Sequence, residues 1–327
     1  MTDLTPPEAG VPSAAHRLRE SLPSTPCLVR VQTAQGSSAL CLWNGEQLLD
    51  LAGFRGGDFA SLDRALTLPL AVVRAALEAA LHGGLPEVDP HESSGLPPVE
   101  SQEVWGAGVT YFRSRQARMD EALAKDVYSR VYEAERPELF FKAAGWRVVG
   151  DGGRIGVRSD STWSVPEPEL AVLGNSSAEV IGYACGNDMS SRSIEGENPL
   201  YLPQAKVYQD SCSLGPAIAL AWYVDVADRA IHLGIVRDGA TVYEGESSTA
   251  LLTRDPAELV RVLHSSYTLP HGSWLLTGTP LVPPDSYSAA EGDVIEISID
   301  GIGSLINHTY VVPHTGAQAL PVSVTPV

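Results

Sequence analysis

Apolar and polar residues alternate in short runs over much of the chain, with turn-forming residues between the runs. From "CLVRVQT" at Cys27 through "SALCLWNGEQLLDL" ending at Leu51, such runs flank a Gly/Ser cluster and the Asn44-Gly45 pair, which predicts a few antiparallel strands. The period then changes. "SLDRALTLPLAVVRAALEAALHGG" carries Ser61 at an N-cap position and Gly83 as a stop, and predicts a single helix that tolerates Pro69. Between Ser114 and Glu135, residues Met119, Leu123, Val127 and Val131 recur at steps of four, one face of a second helix. From Val148 onward short β-like runs return. One helix interrupts them at "DPAELVRVLHSSY", with Asp255 as N-cap, Pro256 at the first helical position and Glu258 completing a capping box. The first 20 or so residues, rich in Pro and Ala, predict a loose tail, and "DPHESSGLPPVE" (Asp89 to Glu100) predicts a linker. The expected organisation is a tail and small α+β domain over 1–100, then a larger α+β domain over 101–327 rich in antiparallel strands.

One strand in the larger domain carries candidate chemistry. In "SVPEPELAVLG" (Ser164 to Gly174), Glu167 and Glu169 flank Pro168 and precede an apolar run. Proline disfavours helix here, so the segment is extended, and residues two apart share one face of a strand. An exposed edge strand with its charges in water is one reading. The following turn "GNSSA" and the run "EVIGYACGND" supply another. Folding the hairpin about Ser176 sets Glu167 opposite Cys185 and Gly186, with Asp188 just beyond on an Asn187-Asp188 turn. Three carboxylates at one strand end repel unless a cation joins them or one stays protonated. An all-oxygen set suits a hard divalent ion, Mg²⁺ or Mn²⁺, and not zinc.

Composition narrows the partners without naming a substrate. The 22 basic and 40 acidic side chains give a net charge of −18, which argues against nucleic acid or an anionic membrane surface. No apolar run approaches the roughly 18 residues of a membrane span, and the N-terminus lacks a signal-peptide pattern. Cys27, Cys41, Cys185 and Cys212 form no CxxC pair or zinc spacing, so a reducing cytoplasm is expected.

"PEPEL", "GYACGNDMSSR", Lys206 in "LPQAKVYQDSCSLGPAI", "LLTGTPLVPP" and "EGDVIEISIDGIGSLINHTY" together resemble the fumarylacetoacetate hydrolase superfamily, from about Trp105 to Tyr310. The resemblance implies a β-rich roll of mixed sheets, dimeric or tetrameric, with Glu167, Glu169 and Asp188 as ligands of a divalent metal. Hydrolases and decarboxylases of that family carry an Asn-Tyr-x-x-His element near the domain start. Here Thr110 replaces the Asn, Ser114 stands where the His belongs, and Ala117 follows where an acid is usual. This puts C–C hydrolysis in doubt. "GVTYFRSR", "VYEAERPELFFKA" and "SRSIEGENPLYLPQAKVY" instead are similar to its sugar-acid dehydratase branch.

That branch implies dehydration of a 2-keto-3-deoxy sugar acid, such as 2-keto-3-deoxy-D-arabinonate, to 2,5-dioxopentanoate. Lys206 and Glu138 are the expected proton carriers, and a lysine beside a dication has its pKa lowered by like charge. Arg113, Ser114 and Arg115 are candidates for gripping the substrate carboxylate or hydroxyls. Thr110, Tyr111, Thr277, Gly278 and Thr279 complete the substrate-side group, with Gly278 letting backbone approach closely. Arg192, Glu195 and Glu197 are expected to order the loop before Lys206. An acylpyruvate hydrolase, an oxaloacetate decarboxylase and a non-catalytic metal-binding member are the alternatives.

Overall fold

The structure, a computed structural model, describes residues 14–108, 110–111 and 134–313. The helix expected over Ser114 to Glu135 lies almost wholly outside them, as do Arg113, Ser114 and Arg115 themselves. The strands are β1 (Cys27–Gln32), β2 (Ser38–Trp43), β3 (Leu48–Asp50), β4 (Glu103–Gly108), β5 (Glu138–Ala144), β6 (Arg154–Arg158), β7 (Pro168–Gly174) and β8 (Val180–Asp188). They continue with β9 (Cys212–Leu214), β10 (Ala217–Leu220), β11 (Ala230–Arg237), β12 (Ala240–Ser248), β13 (Ser273–Leu276), β14 (Val294–Ile299) and β15 (Gly303–Val312). The helices are α1 (Ala14–Ser21), α2 (Leu62–Ala65), α3 (Leu70–Ala80), α4 (Arg192–Glu197), α5 (Leu202–Lys206) and α6 (Pro256–His264).

Two mixed sheets result, beside a short two-stranded ladder of Ser164–Val165 with Ser190–Ser191. The larger has 12 strands, counting the short pieces Glu87–Val88 and Ser94–Gly95, in the path Glu87–Val88, β3, β2, β1, β10, β8, β7, β13, β4, β5. The smaller runs β12, β11, β14, β15, β6. Only the β13–β4 and β15–β6 pairings among these named strands are parallel. Because β1 pairs with β10, the sheet is continuous from the N-terminal strands to the strand that ends in Asp188.

The apolar run after Glu169 is explained by burial on both faces. Leu170 and Val172 enter the core between the sheets, with Ile231, Leu233, Ile295 and Ile297. Ala171 and Leu173 enter the core under α3, with Val73, Ala76 and Leu77. A strand covered on both sides reads as a continuous hydrophobic run, not as an alternation.

Three local expectations change. The helix after Ser61 is two helices. Ser61 does cap α2, accepting from Arg64 N at 3.2 Å, but the chain breaks before Pro69, which lacks an N–H and keeps Leu68 out of the helical region. α3 begins afresh, and its Leu70 amide donates to Glu179 at 2.7 Å. The tail is helical from Ala14, and Leu18 anchors it by burying against the β1–β2 core. The loop before Lys206 holds two short helices, α4 and α5, separated by a 3₁₀ turn at Pro199–Tyr201.

Candidate active site

The β7–β8 hairpin builds the centre, and its register differs from the sequence expectation. Pro168 pairs with Asn187 and Glu169 with Gly186, so the pairing sum is 355 where folding about Ser176 gives 352. The turn is longer, spanning Asn175 to Glu179, with Asn175 Oδ1 accepting from the amides of Ser177 and Glu179. An irregularity beyond Gly174 leaves Ile181 unpaired and adds the rest of the shift. The correction brings the carboxylates closer than expected. Asp188 N donates to Glu167 O at 3.0 Å, so those two residues are direct cross-strand neighbours rather than diagonal ones. Gly186, opposite Glu169, leaves room for the Leu276 side chain. The three carboxylates are buried, with oxygen atoms lying within 4.8 Å of one another.

Three cations of the chain itself meet them. Lys206, the last residue of α5, donates to Glu167 Oε2 at 2.6 Å, Asp188 Oδ2 at 2.9 Å and Ser190 Oγ at 2.6 Å. Arg192, the first residue of α4, has its guanidinium 2.9 Å from Glu167 Oε1. Lys142 in β5 lies 2.5 Å from Asp188 Oδ1. All three are buried. Lys142 was not foreseen, and Arg192 was expected only to order its loop. A lysine in "ELFFKAA" reads as the polar face of a strand, and only the β5 pairing turns it inward.

Glu169 stands apart. Its carboxylate accepts the Gly278 amide at 2.6 Å and has no ion pair among the described residues. Burial, followed by the charges of Asp188 and Glu167, holds its pKa well above the ordinary carboxylate range, against the opposing pull of Lys206 and the Gly278 amide. Gly278 adopts φ +90°, and a Cβ there would meet Thr110 Oγ1 at 2.1 Å. Only glycine brings this amide to Glu169 without strain. The surrounding turn is pinned from both sides: Thr110 Oγ1 donates to Thr277 O at 2.5 Å, and Thr277 Oγ1 donates to Leu170 O at 2.9 Å. Thr279 Oγ1 donates to Leu281 O at 2.9 Å. Tyr111 is buried beside Glu169 and Thr277. Desolvation, then the Glu169 charge, push its phenol well above the usual value, with the Thr277 hydrogen bond acting the other way.

Glu138 opens β5, two residues before Phe140, and is half-buried. The side chains of Glu138 and Phe140 lie across β4 at Gly108 and Gly106, where an added Cβ would meet them at 2.1 and 2.4 Å. The Phe140 ring in turn lies 5.7 Å from Lys206 Nζ. Glu138 is therefore linked to the centre through Phe140, two residues on along β5.

The donor set suits a divalent ion. It consists of carboxylate oxygens alone, drawn together from two paired strands, and the Lys206 ammonium already bridges two of them as a cation would.

The Fumarylacetoacetate (FAA) hydrolase C-terminal family matches residues 104–310, and the chain belongs to that family. Over 211 residues it is 48% identical to a probable 2-keto-3-deoxyxylonate dehydratase of Haloferax volcanii, covering 64% of this chain and 73% of that one. Over 214 residues it is 42% identical to the 2-dehydro-3-deoxy-D-arabinonate dehydratase of Saccharolobus solfataricus, covering 64% and 72%. Among solved structures, 2-keto-3-deoxy-D-arabinonate dehydratase complexed with magnesium and 2,5-dioxopentanoate superposes with a TM-score of 0.73 at 31% identity. That match covers 88% of this chain and 99% of the other, so it reaches beyond residues 104–310. The β-rich roll expected from the motifs is the fold observed.

Proposed function

We propose that the protein is a magnesium-dependent hydro-lyase that converts a 2-keto-3-deoxy pentonate, 2-keto-3-deoxy-D-arabinonate foremost, to 2,5-dioxopentanoate and water. The buried Glu167, Glu169 and Asp188 trio, contacted by Lys206 in a chain 42–48% identical to dehydratases of such acids, carries this reading. The trio holds the ion. When bound, Mg²⁺, or Mn²⁺ in its place, polarises the 2-keto group and favours loss of a carbon-3 proton.

The chain's own groups handle the protons. A base takes the carbon-3 proton and an acid protonates the carbon-4 hydroxyl as it leaves as water; a proton then passes from carbon 5 to carbon 3 to give the C4=C5 enol, and carbon 4 is protonated as the enol hydroxyl loses its proton, which leaves the aldehyde. Lys206 and Glu138 are the proton carriers of this reading. Three acceptors fix the Lys206 ammonium in direction, and Glu138 stands two residues before Phe140, whose ring lies beside that ammonium. Thr110, Tyr111, Thr277, Gly278 and Thr279 form the wall on the Glu169 side, and Arg113, Ser114 and Arg115 belong to the substrate-side group. The Thr277 and Thr279 hydroxyl hydrogens are committed to backbone carbonyls, so these residues offer a substrate lone pairs only. The reading includes a reducing cytoplasmic setting, in keeping with four free buried cysteines, and a homo-oligomeric state. Among the described residues no helix is long and apolar enough to cross a membrane.

Incubation with Mg²⁺ and a panel of 2-keto-3-deoxy pentonates and hexonates, fumarylpyruvate and oxaloacetate, with and without chelator, tests the proposal. Metal-dependent release of 2,5-dioxopentanoate from a pentonate is the expected result. Pyruvate from fumarylpyruvate or oxaloacetate, without any semialdehyde, overturns it. Light scattering on the purified chain tests the oligomeric state.

A further inference from the structure

The sequence marks Lys142 as an ordinary strand residue, yet it is among the most deeply buried charges in the protein. Its place follows from an irregularity in β5. Trp105 pairs with Phe141 and Val104 with Ala143, which leaves Lys142 as an extra residue between them, a β-bulge. A bulge breaks strict alternation and re-aims a side chain. Phe141 is left exposed on the outer face while Lys142 turns inward. Its ammonium donates to Met189 O at 2.9 Å and Lys206 O at 2.5 Å, and forms an ion pair with Asp188 Oδ1 at 2.5 Å. One side chain thus holds one oxygen of a candidate ligand, the backbone just after that ligand, and the end of the helix that presents Lys206.

We propose that Lys142 is the positioning residue of the carboxylate centre: it turns Asp188 so that Oδ2 faces Glu167 and Glu169, and it ties α5 to β8 so that Lys206 reaches both strands. This inference rests on the metal reading above. Lys142 touches neither ion nor substrate. A group that orients a ligand in this way typically changes metal affinity about 10–100-fold when removed.

A neighbouring cavity makes the role separable from simple packing. A space of about 260 Å³, lined by Phe141, Lys142, Trp146, Tyr208 and Cys212 among others, reaches the Lys142 stem from the outer side of β5. Trp146 on its rim is 78% exposed, so small molecules can enter. In Lys142→Ala, n-propylammonium replaces the deleted atoms and the charge together. n-Propanol has a similar shape and no charge.

The test is Mn²⁺ binding to the full-length chain by titration calorimetry, which reads the centre without turnover. Lys142→Ala and Lys142→Met are expected to weaken Mn²⁺ binding about 10–100-fold. n-Propylammonium is expected to restore much of the loss in Lys142→Ala, and n-propanol none of it. Lys142→Met keeps the length of the side chain and serves if Lys142→Ala does not fold. Affinity within twofold of the native chain in Lys142→Met overturns the proposal, as does equal rescue by n-propanol. Native binding that disappears in Glu169→Gln shows that the metal reading stands when Lys142 alone fails. A native chain that binds no Mn²⁺ sinks both.

Discussion

Two buried acidic clusters in this protein solve the same electrostatic problem differently. At Asp293 a single carboxylate receives Arg237 in a two-pronged contact at 2.6 and 2.8 Å, the Tyr287 hydroxyl at 3.0 Å and the Ala290 amide at 3.0 Å. Its charge is answered by one guanidinium and both oxygens are filled. Burial, and then the Asp293 charge, holds the Tyr287 phenol well above its ordinary pKa. This cluster knots the Pro284–Ala290 loop to β11 and β14. At the β7–β8 end, three carboxylates meet three basic side chains, but the pairing is uneven. Lys206 and Arg192 share Glu167, Lys206 and Lys142 share Asp188, and Glu169 has, among the described residues, only an amide. A cluster built for stability has no reason to leave one carboxylate so exposed to its neighbours' charge. The asymmetry fits the metal-holding role proposed for the trio, since Glu169 has no counter-charge among the described residues.

If that contrast is right, substitutions in the two clusters fail in opposite ways. Glu169→Gln should lower metal-dependent turnover more than about 100-fold, beyond the range typical of groups around a ligand. Its metal-free melting temperature should hold or rise, because a destabilised buried carboxyl has gone. A lower metal-free melting temperature would instead make Glu169 a support of the fold. Asp293→Ala should do the reverse. Urea unfolding should show a loss of about 3 kcal/mol, at the low end for a broken buried pair because Arg237 is partly exposed. Its Mg²⁺-dependent stabilisation should match the native chain's.

Removing the metal sharpens the same division. At Mg²⁺ near 100 times its Kd, the native chain should gain about 2.7 kcal/mol, and chelator should take it away. Thermal melts should show that increment in Asp293→Ala and none of it in Glu169→Gln. Gly278→Ala should give the smallest effect, about 1–3 kcal/mol of strain from the positive φ and the close Thr110 hydroxyl. Adding Thr110→Ala should recover part of it, since the hydroxyl is the atom in the way. Equal stability of the single and double variants would place the strain in the backbone alone.

The carboxylates were legible because their pattern is local. Glu167 and Glu169 share a face by strand geometry, and a turn signal after Gly174 returns the chain toward them. The register was missed by three because it depends on how Asn175 closes the turn and on an unpaired Ile181, neither of which alternation encodes. Ser61 and Asp255 were readable as caps for the same local reason, and Asp255 does accept from Ala257 N at 2.8 Å. Lys142 and Arg192 were not readable as site residues. Lys142 turns inward only through its pairing with β4, more than 30 residues away in sequence, and Arg192 meets Glu167 only when the start of α4 folds back against Trp163 to Val165. The split at Pro69 could have been read, since proline breaks a helix unless it sits in the first turn.

The glycines of β4 carry a consequence for how this sequence can drift. Gly106 and Gly108 are empty so that Phe140 and Glu138 can be full, each pair filling one shared space. Such partners limit each other: a methyl group gained at 106 collides with a phenyl ring at 140 and finds room once the ring is trimmed. Gly106→Ala and Phe140→Leu should therefore be worse apart than together, and the order in which a lineage acquired them would be constrained by the space they divide.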